Sequence, residues 1–519
     1  MKLKFNRTIL LSFSLAFSST SLFSQERGLD ERINDVFTPV ANWWEGLILH
    51  NFPGTEIPTI IFLLVGGALF FTVYFGFVNV RRFPMAINTV RGKYDEVDDH
   101  GAEDEEGEVS HFQALATAVS GTVGNGNIAG VALAIAVGGP GATFWMILCG
   151  LLGMSTKFVE CTLGVKYRDI GEDGTVYGGP MYYLTKGLQE KGFARLGKVL
   201  AGVFAFLCIG ASFGGGNAAQ SNQAAMQLVE SFGMTGGSSR TIIGLIMMVL
   251  VGVIIIGGIK RIASVTEKVV PLMALMYILA CLYIILSNIT FVDDAFGMIF
   301  SQAFNPQAGL GGLLGVLITG FRRAAFSNEA GAGSASIAHS AVKTKYPASE
   351  GLVALLEPFI DTVVICTMTA LVIIIFNGDN TVFNYGGEGG VVMINGIASE
   401  GAGITAAAFA KYISFSGPFL TIAVVLFAIS TMISWSYYGL QSWMYLFGKS
   451  KVSEIVYKLI FLLFIVIGAA GDMSSVWAFS DAMILALVFP NMIGLLILFP
   501  RVKEELGNYL QAIAGIKKS

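Results

Sequence analysis

Two stretches of this 519-residue chain mix glycine, small hydroxyls and amides where an apolar helix would otherwise run. The first is Ser120-Gly121-Thr122-Val123-Gly124-Asn125-Gly126-Asn127, and the second is Ser327-Asn328-Glu329-Ala330-Gly331-Ala332-Gly333-Ser334. Each interior glycine costs a helix about 1 kcal/mol relative to alanine. The amide and hydroxyl side chains add polar groups that hydrocarbon does not solvate. The chemistry on offer is ligation rather than bond-making. Amides at a half-helix N-terminus attract a carboxylate, and unwound carbonyls attract a small hard cation. A zwitterion bound together with a cation uses both.

Further polar groups interrupt apolar runs elsewhere. Phe213 leads into Gly214-Gly215-Gly216-Asn217-Ala218-Ala219-Gln220-Ser221-Asn222, and Ser430-Thr431-Met432-Ile433-Ser434-Trp435-Ser436-Tyr437-Tyr438 gathers hydroxyls around one indole. Hydroxyl oxygens suit sodium, and the Trp435 ring suits the wall of a small pocket. Ionisable residues also fall inside apolar stretches: Lys157 with Glu160, Arg322 and Arg323 near Glu329, and Glu357 with Asp361. Three- and four-residue spacings place each carboxylate or ion pair on one helix face. Their cost in lipid turns them inward to neutralise one another. The five cysteines all sit in apolar runs and read as small core residues, and the four histidines lack metal-ligand spacing.

The elements that must hold these groups are membrane spans. The chain is 54% hydrophobic and 13% charged, about half the charge of a soluble domain. Hydropathy predicts about eleven spans, near 57–79, 111–137, 142–165, 198–221, 241–259, 268–288, 309–341, 350–376, 417–446, 453–471 and 476–499. Alternate loops carry the basic residues, among them Arg81, Arg82, Lys166, Arg168, Lys260, Arg261, Lys449 and Lys451. The positive-inside rule then places the mature N-terminus outside and the C-terminus inside the cytoplasm. Residues 1–24 carry the basic, apolar and small-polar succession of a secretory signal. Residues 25–56 read as an amphipathic periplasmic segment anchored by Trp43 and Trp44, 57–500 as the transmembrane domain, and 501–519 as a cytoplasmic tail. The location expected is the inner membrane.

The two interrupted spans lie about five spans apart, and Gly126-Asn127-Ile128-Ala129-Gly130 echoes Ser327-Asn328-Glu329-Ala330-Gly331. Broken helices at equivalent places in two halves of opposite topology are the mark of inverted-repeat transporters. A channel would call for a ring of like charges, and an enzyme for a nucleophile with its base or a metal cluster. Neither is present in the sequence, and no catalytic residue is expected. The net charge of −4 argues against a nucleic-acid partner.

At these residues the chain closely resembles the alanine-or-glycine:cation symporter family. The matching stretches include Phe112-Gln113-Ala114-Leu115, Gly124 to Val131, Gly138 to Ala142, Gly153 to Glu160, and Gly178 to Tyr183. They continue with Phe326 to Gly331, Glu357 to Thr362, and Trp435 to Gly439, in collinear order over roughly residues 55–500. Asn125 stands where the family motif commonly has threonine, and Ala332 where it commonly has methionine.

The resemblance implies an all-α polytopic membrane protein of the leucine-transporter type, with five-plus-five inverted helices after one extra N-terminal helix. It implies sodium-driven symport of alanine or glycine, with proton coupling as the alternative, and no cofactor besides sodium as the coupling ion. The implied substrate site lies between Gly121, Thr122, Gly124, Asn125 and Gly126 on one side and Ser327 and Asn328 on the other. Phe213, Gln220, Thr431 and Trp435 complete it. The implied sodium site uses carbonyls near Ala118 and Gly121 and the hydroxyls of Ser430 and Thr431. The work of uptake comes from sodium entry, at about 2.3 kcal/mol per charge per 100 mV.

Overall fold

The apolar segments coincide largely with helices in the computed structural model, which describes residues 29–55, 57–98, 107–234, 236–305, 312–378, 380–471 and 473–516. Among the described residues, seven helices are long and apolar enough to cross a bilayer, and a bent pair makes an eighth if it counts as one span. Thr59–Tyr74 and Ser239–Ile255 are apolar but shorter, at 16 and 17 residues. The remaining expected span is the second interrupted one.

The helices that build the site are numbered here in chain order. α1 is Leu29–Ile48, α2 Thr59–Tyr74, α3 His111–Thr122, α4 Val131–Gly138 and α5 Gly141–Lys166. α6 is Ala194–Phe213, α7 Ala219–Ser231, α8 Gly312–Asn328, α9 Ala335–His339 and α10 Pro347–Ala354. α11 is Ser416–Phe447, α12 Lys451–Ala470, α13 Met473–Ala486 and α14 Val488–Ile516. Two short antiparallel hairpins lie outside the bundle, Asp169–Ile170 with Val176–Tyr177 and Val392–Ile394 with Ile397–Ser399.

Both interrupted segments break where glycine and asparagine concentrate. α3 starts from a capping box between Ser110 and Gln113 and stops at Thr122. A π-turn, Gly126–Gly130, follows before α4, and the axis bends by 51°. α8 ends at Asn328, and the chain crosses to α9 through left-handed backbone at Glu329 (φ 54°), Gly331 (97°) and Gly333 (84°). A further π-turn, Gly214–Ala218, separates α6 from α7 at the three consecutive glycines.

The expected signal segment lies outside the described residues. The amphipathic segment forms α1, which packs on α13 with Ala41 and Ile48 buried and Trp43 outward, 66% exposed. Beyond residue 500 the expected tail instead continues α14 to Ile516. Val502, Tyr509 and Ile513 repeat at helical spacing and are buried, so apolar packing rather than the span boundary sets where this helix ends.

Candidate substrate and cation site

The two breaks touch. A Cβ placed on Gly126 would stand 3.4 Å from the Phe326 ring and 4.0 Å from the Ser327 Cα. Asn127 and Asp361 tie them together. The Asn127 amide donates to Ser327 Oγ at 3.1 Å and to Asp361 Oδ1 at 2.6 Å, while Ser327 donates to Asp361 Oδ2 at 2.8 Å. All three side chains are buried. Asp361 thus meets hydrogen-bond donors from both breaks.

Around the first break, backbone and side chains from three elements converge. Gln220 on α7 accepts the Asn125 amide at 3.1 Å and donates to the Gly215 carbonyl at 3.0 Å. Gly124 donates to Asn127 Oδ1 at 2.8 Å. Gly124 permits a close approach, since an added Cβ would overlap Thr431 Oγ1 and lie 3.1 Å from Gln220 Oε1. Gly121 lies beneath the Tyr438 hydroxyl, which would be 2.9 Å from a Cβ there. Thr431, Trp435 and Tyr438 follow at four- and three-residue steps, so α11 presents all three on one face. The Trp435 ring packs against Gly216 and meets Tyr438 edge-on at 5.3 Å between centroids.

Three buried polar atoms in this region have no protein hydrogen-bond partner: Asn125 Oδ1, Thr431 Oγ1 and Tyr438 OH. Buried polar groups are nearly always satisfied, and leaving one unpaired costs about 1–3 kcal/mol. Orphans on both sides of one break leave hydrogen-bonding capacity there that the protein does not use.

The residues expected to hold sodium are brought to one level. Ser120 donates to the Ser430 carbonyl at 2.7 Å, and Ser434 donates to the Thr117 carbonyl at 2.9 Å, which fixes α3 against α11. The Ala118 carbonyl accepts the Thr122 hydroxyl at 3.3 Å. Ser430 Oγ donates to the Phe427 carbonyl, leaving its oxygen lone pairs to accept, and Thr431 Oγ1 is unpartnered. Hydroxyl and carbonyl oxygens are the donor type that sodium takes.

The second break is held differently. Gly331 donates to Glu160 Oε1 at 2.9 Å, and Asn491 bridges that same oxygen and the Gly331 carbonyl, each at 2.8 Å. Trp435 Nε1 donates to Glu329 Oε1 at 3.1 Å, and Ser334 donates to the other oxygen. Asn328 spends both ends of its amide on Thr362 and the Ala330 backbone.

Sequence spacing misses some of these partners. Lys157 finds its ion pair in Glu357 at 3.0 Å on a different helix, not in Glu160 three residues on. The Phe213 ring stacks on Phe464 at 4.6 Å and Tyr457 at 5.7 Å, with the residues of α12 rather than those of the break. Asn127, Tyr438 and Asn491 are the additional site residues. Asn127 was signalled by its place in the glycine motif, and Tyr438 by its seven-residue step from Thr431. Nothing local marks Asn491. Arg322 and Arg323 meet Asp481 on α13, and Arg322 also reaches Glu45 on α1 at 2.5 Å.

With that geometry in hand, likeness to known proteins is specific. The profile of the sodium:alanine symporter family matches residues 47–518. The sodium/alanine symporter AgcS of Methanococcus maripaludis is 41% identical over 450 residues, 86% of this chain and 93% of that protein. The amino-acid carrier protein AlsT of Bacillus subtilis is 35% identical over 457 residues, 87% of this chain and 89% of its own. Among solved structures, MhsT in complex with L-phenylalanine covers 76% of this chain and 99% of its own, with TM-score 0.49 and 16% identity. A match over nearly the whole chain, joined to a set of apolar helices with two breaks in contact, places this protein in the sodium:alanine symporter family, as a multi-pass membrane transporter and not an enzyme.

Proposed function

We propose that the chain couples sodium entry to uptake of a small neutral amino acid, alanine or glycine, by alternating access across the inner membrane. The observation that carries this reading is the set of orphaned polar atoms, Asn125 Oδ1, Thr431 Oγ1 and Tyr438 OH, beside a break in the backbone. A zwitterion with its sodium supplies the missing partners. In this reading the amino acid lies against Gly121, Thr122, Gly124, Asn125 and Gly126 under the Trp435 ring. Gln220 shapes the break by holding the Asn125 amide. Sodium, as co-substrate, takes carbonyls of Ala118 and Gly121 with the hydroxyls of Ser430 and Thr431.

The small pocket follows from close packing. Gly124 against Thr431 and Gly216 against Trp435 leave little room for a long side chain. A hydrophobic wall separates substrates differing by one methylene by only about 1–3 kcal/mol, so alanine and glycine both fit the reading. We place the N-terminus outside and the end of α14 inside, following the basic loops. Two halves of inverted topology then carry one broken helix each, and binding cross-links them before the bundle rocks inward.

Radiolabelled alanine uptake into proteoliposomes tests this. Saturable accumulation that follows an inward sodium gradient is expected. Uptake that ignores sodium and follows a proton gradient would overturn the coupling assignment.

A further inference from the structure

Below the breaks, two histidines that the transport reading does not use converge on one buried carboxylate. His111 is the first residue of α3, the half-helix before the first break, and its Nδ1 bonds Glu350 Oε2. His339 is the last residue of α9, the half-helix after the second break, and its Nδ1 lies 2.5 Å from Glu350 Oε1. Glu350 and His339 are fully buried, and the His111 side chain is 11% exposed. Glu350 itself belongs to neither broken helix: it sits in the first turn of α10, which packs on α5.

The segments flanking the same two half-helices, just before α3 and just after α9, are also joined through their backbones. Lys343 donates to the Val109 carbonyl at 2.8 Å, and Glu108 donates to the Ala341 carbonyl at 2.7 Å. Arg168 adds its guanidinium to the carbonyls of Ser340 and Thr344, at 2.9 and 3.2 Å. The charged chain continues inward, with His339 Nε2 at 3.6 Å from Glu357 and Glu357 at 3.0 Å from Lys157. By contrast, α3 meets α11 through the hydroxyls of Ser120 and Ser434 and at Gly121 beneath Tyr438.

We propose that Glu350 is a positioning residue for transport, a latch that holds the cytoplasmic halves of both broken helices against α10 until inward release. One carboxylate with two oxygens serves two histidines, so separating either half-helix strips a buried charge of a partner. Such a loss is strongly unfavourable in a low-dielectric interior. The inward-open form must therefore give up or exchange these bonds, while the closed form keeps them. This inference rests on the alternating-access reading above.

The test follows exposure of the α3–α11 seam, with Thr117→Cys as reporter and Cys149, the half-buried native thiol, replaced by alanine. Labelling by a charged, membrane-impermeant thiol reagent is measured in proteoliposomes alongside equilibrium alanine binding. Glu350→Gln is expected to raise the labelling rate at least fivefold and to lower concentrative uptake, with alanine still bound. His111→Gln, at the edge of the cluster, is expected to give a smaller rise, and the double variant to match Glu350→Gln alone. Unchanged labelling in both single variants that still bind alanine would overturn the latch. Should Glu350→Gln not fold, His111→Gln decides alone. Absence of sodium-driven uptake by the unaltered latch would instead strike at the symport reading, leaving the labelling result to stand separately.

Discussion

Around the second break, every amide from Glu329 to Ala332 donates within the protein, in turn to Ala325, Asn328, Glu160 and Glu329. Beside the first, three buried side-chain polar atoms have no protein partner, and at the second Glu160 Oε2 has none either. Both segments face the same physical demand, since backbone released from a helix at membrane depth must find other partners. The second meets it with the Glu160 carboxylate of α5 and the Asn491 amide of α14, which makes it a rigid anchor. The first also settles backbone amides within the protein, Gly124 on Asn127 and Asn125 on Gln220, and differs in the side-chain atoms left unpaired beside it. Of two similar-looking motifs, the proposed function makes one the anchor and the other the place of binding.

Four substitutions break or sharpen that contrast. The largest effect is expected at the anchor. Glu160→Ala leaves the Gly331 amide and the Asn491 side chain without their acceptor, a loss of about 3 kcal/mol or more for buried groups. Thermal unfolding in detergent should show a clear drop, and an unchanged melt would deny the second break its structural role. Next, Gly124→Ala drives a methyl into Thr431 and Gln220. Alanine affinity should fall by more than tenfold, beyond about 1.4 kcal/mol, while the melt shifts far less than for Glu160→Ala. Gln220→Ala frees the Asn125 amide and should raise the transport KM about tenfold with the fold kept. Phe213→Leu, in the aromatic stack on α12, should change the KM less than twofold, at the scale of a conservative swap. A large effect there would return Phe213 to the pocket.

How much of this was legible beforehand depended on range. Apolar runs announced each span, because length and composition alone decide whether a helix suits lipid. Glycine and asparagine announced both breaks, because their local cost does not depend on neighbours. The pairing of charges was not legible: Lys157 and Glu160 share a helix face, yet Lys157 takes Glu357 and Glu160 takes Gly331 from across the bundle. Spacing limits only what a helix does to itself. Ser327 and Asn328 illustrate the same limit, since their motif suggested substrate contact but their side chains are bonded to Asp361 and Thr362. His111 lies 239 residues before Glu350, so it joins Glu350 and His339 in one cluster only when the two broken helices meet.

The sharpest test lies in the Thr431 hydroxyl. Its oxygen has no protein partner, so Thr431→Val, which keeps the shape and removes the oxygen, should leave the melt unchanged or raise it. Equilibrium binding of radiolabelled alanine, titrated with sodium, measures what that oxygen does instead. The account predicts that the valine variant needs at least tenfold more sodium to reach half-maximal alanine binding. A sodium titration identical to that of the parent protein would contradict it.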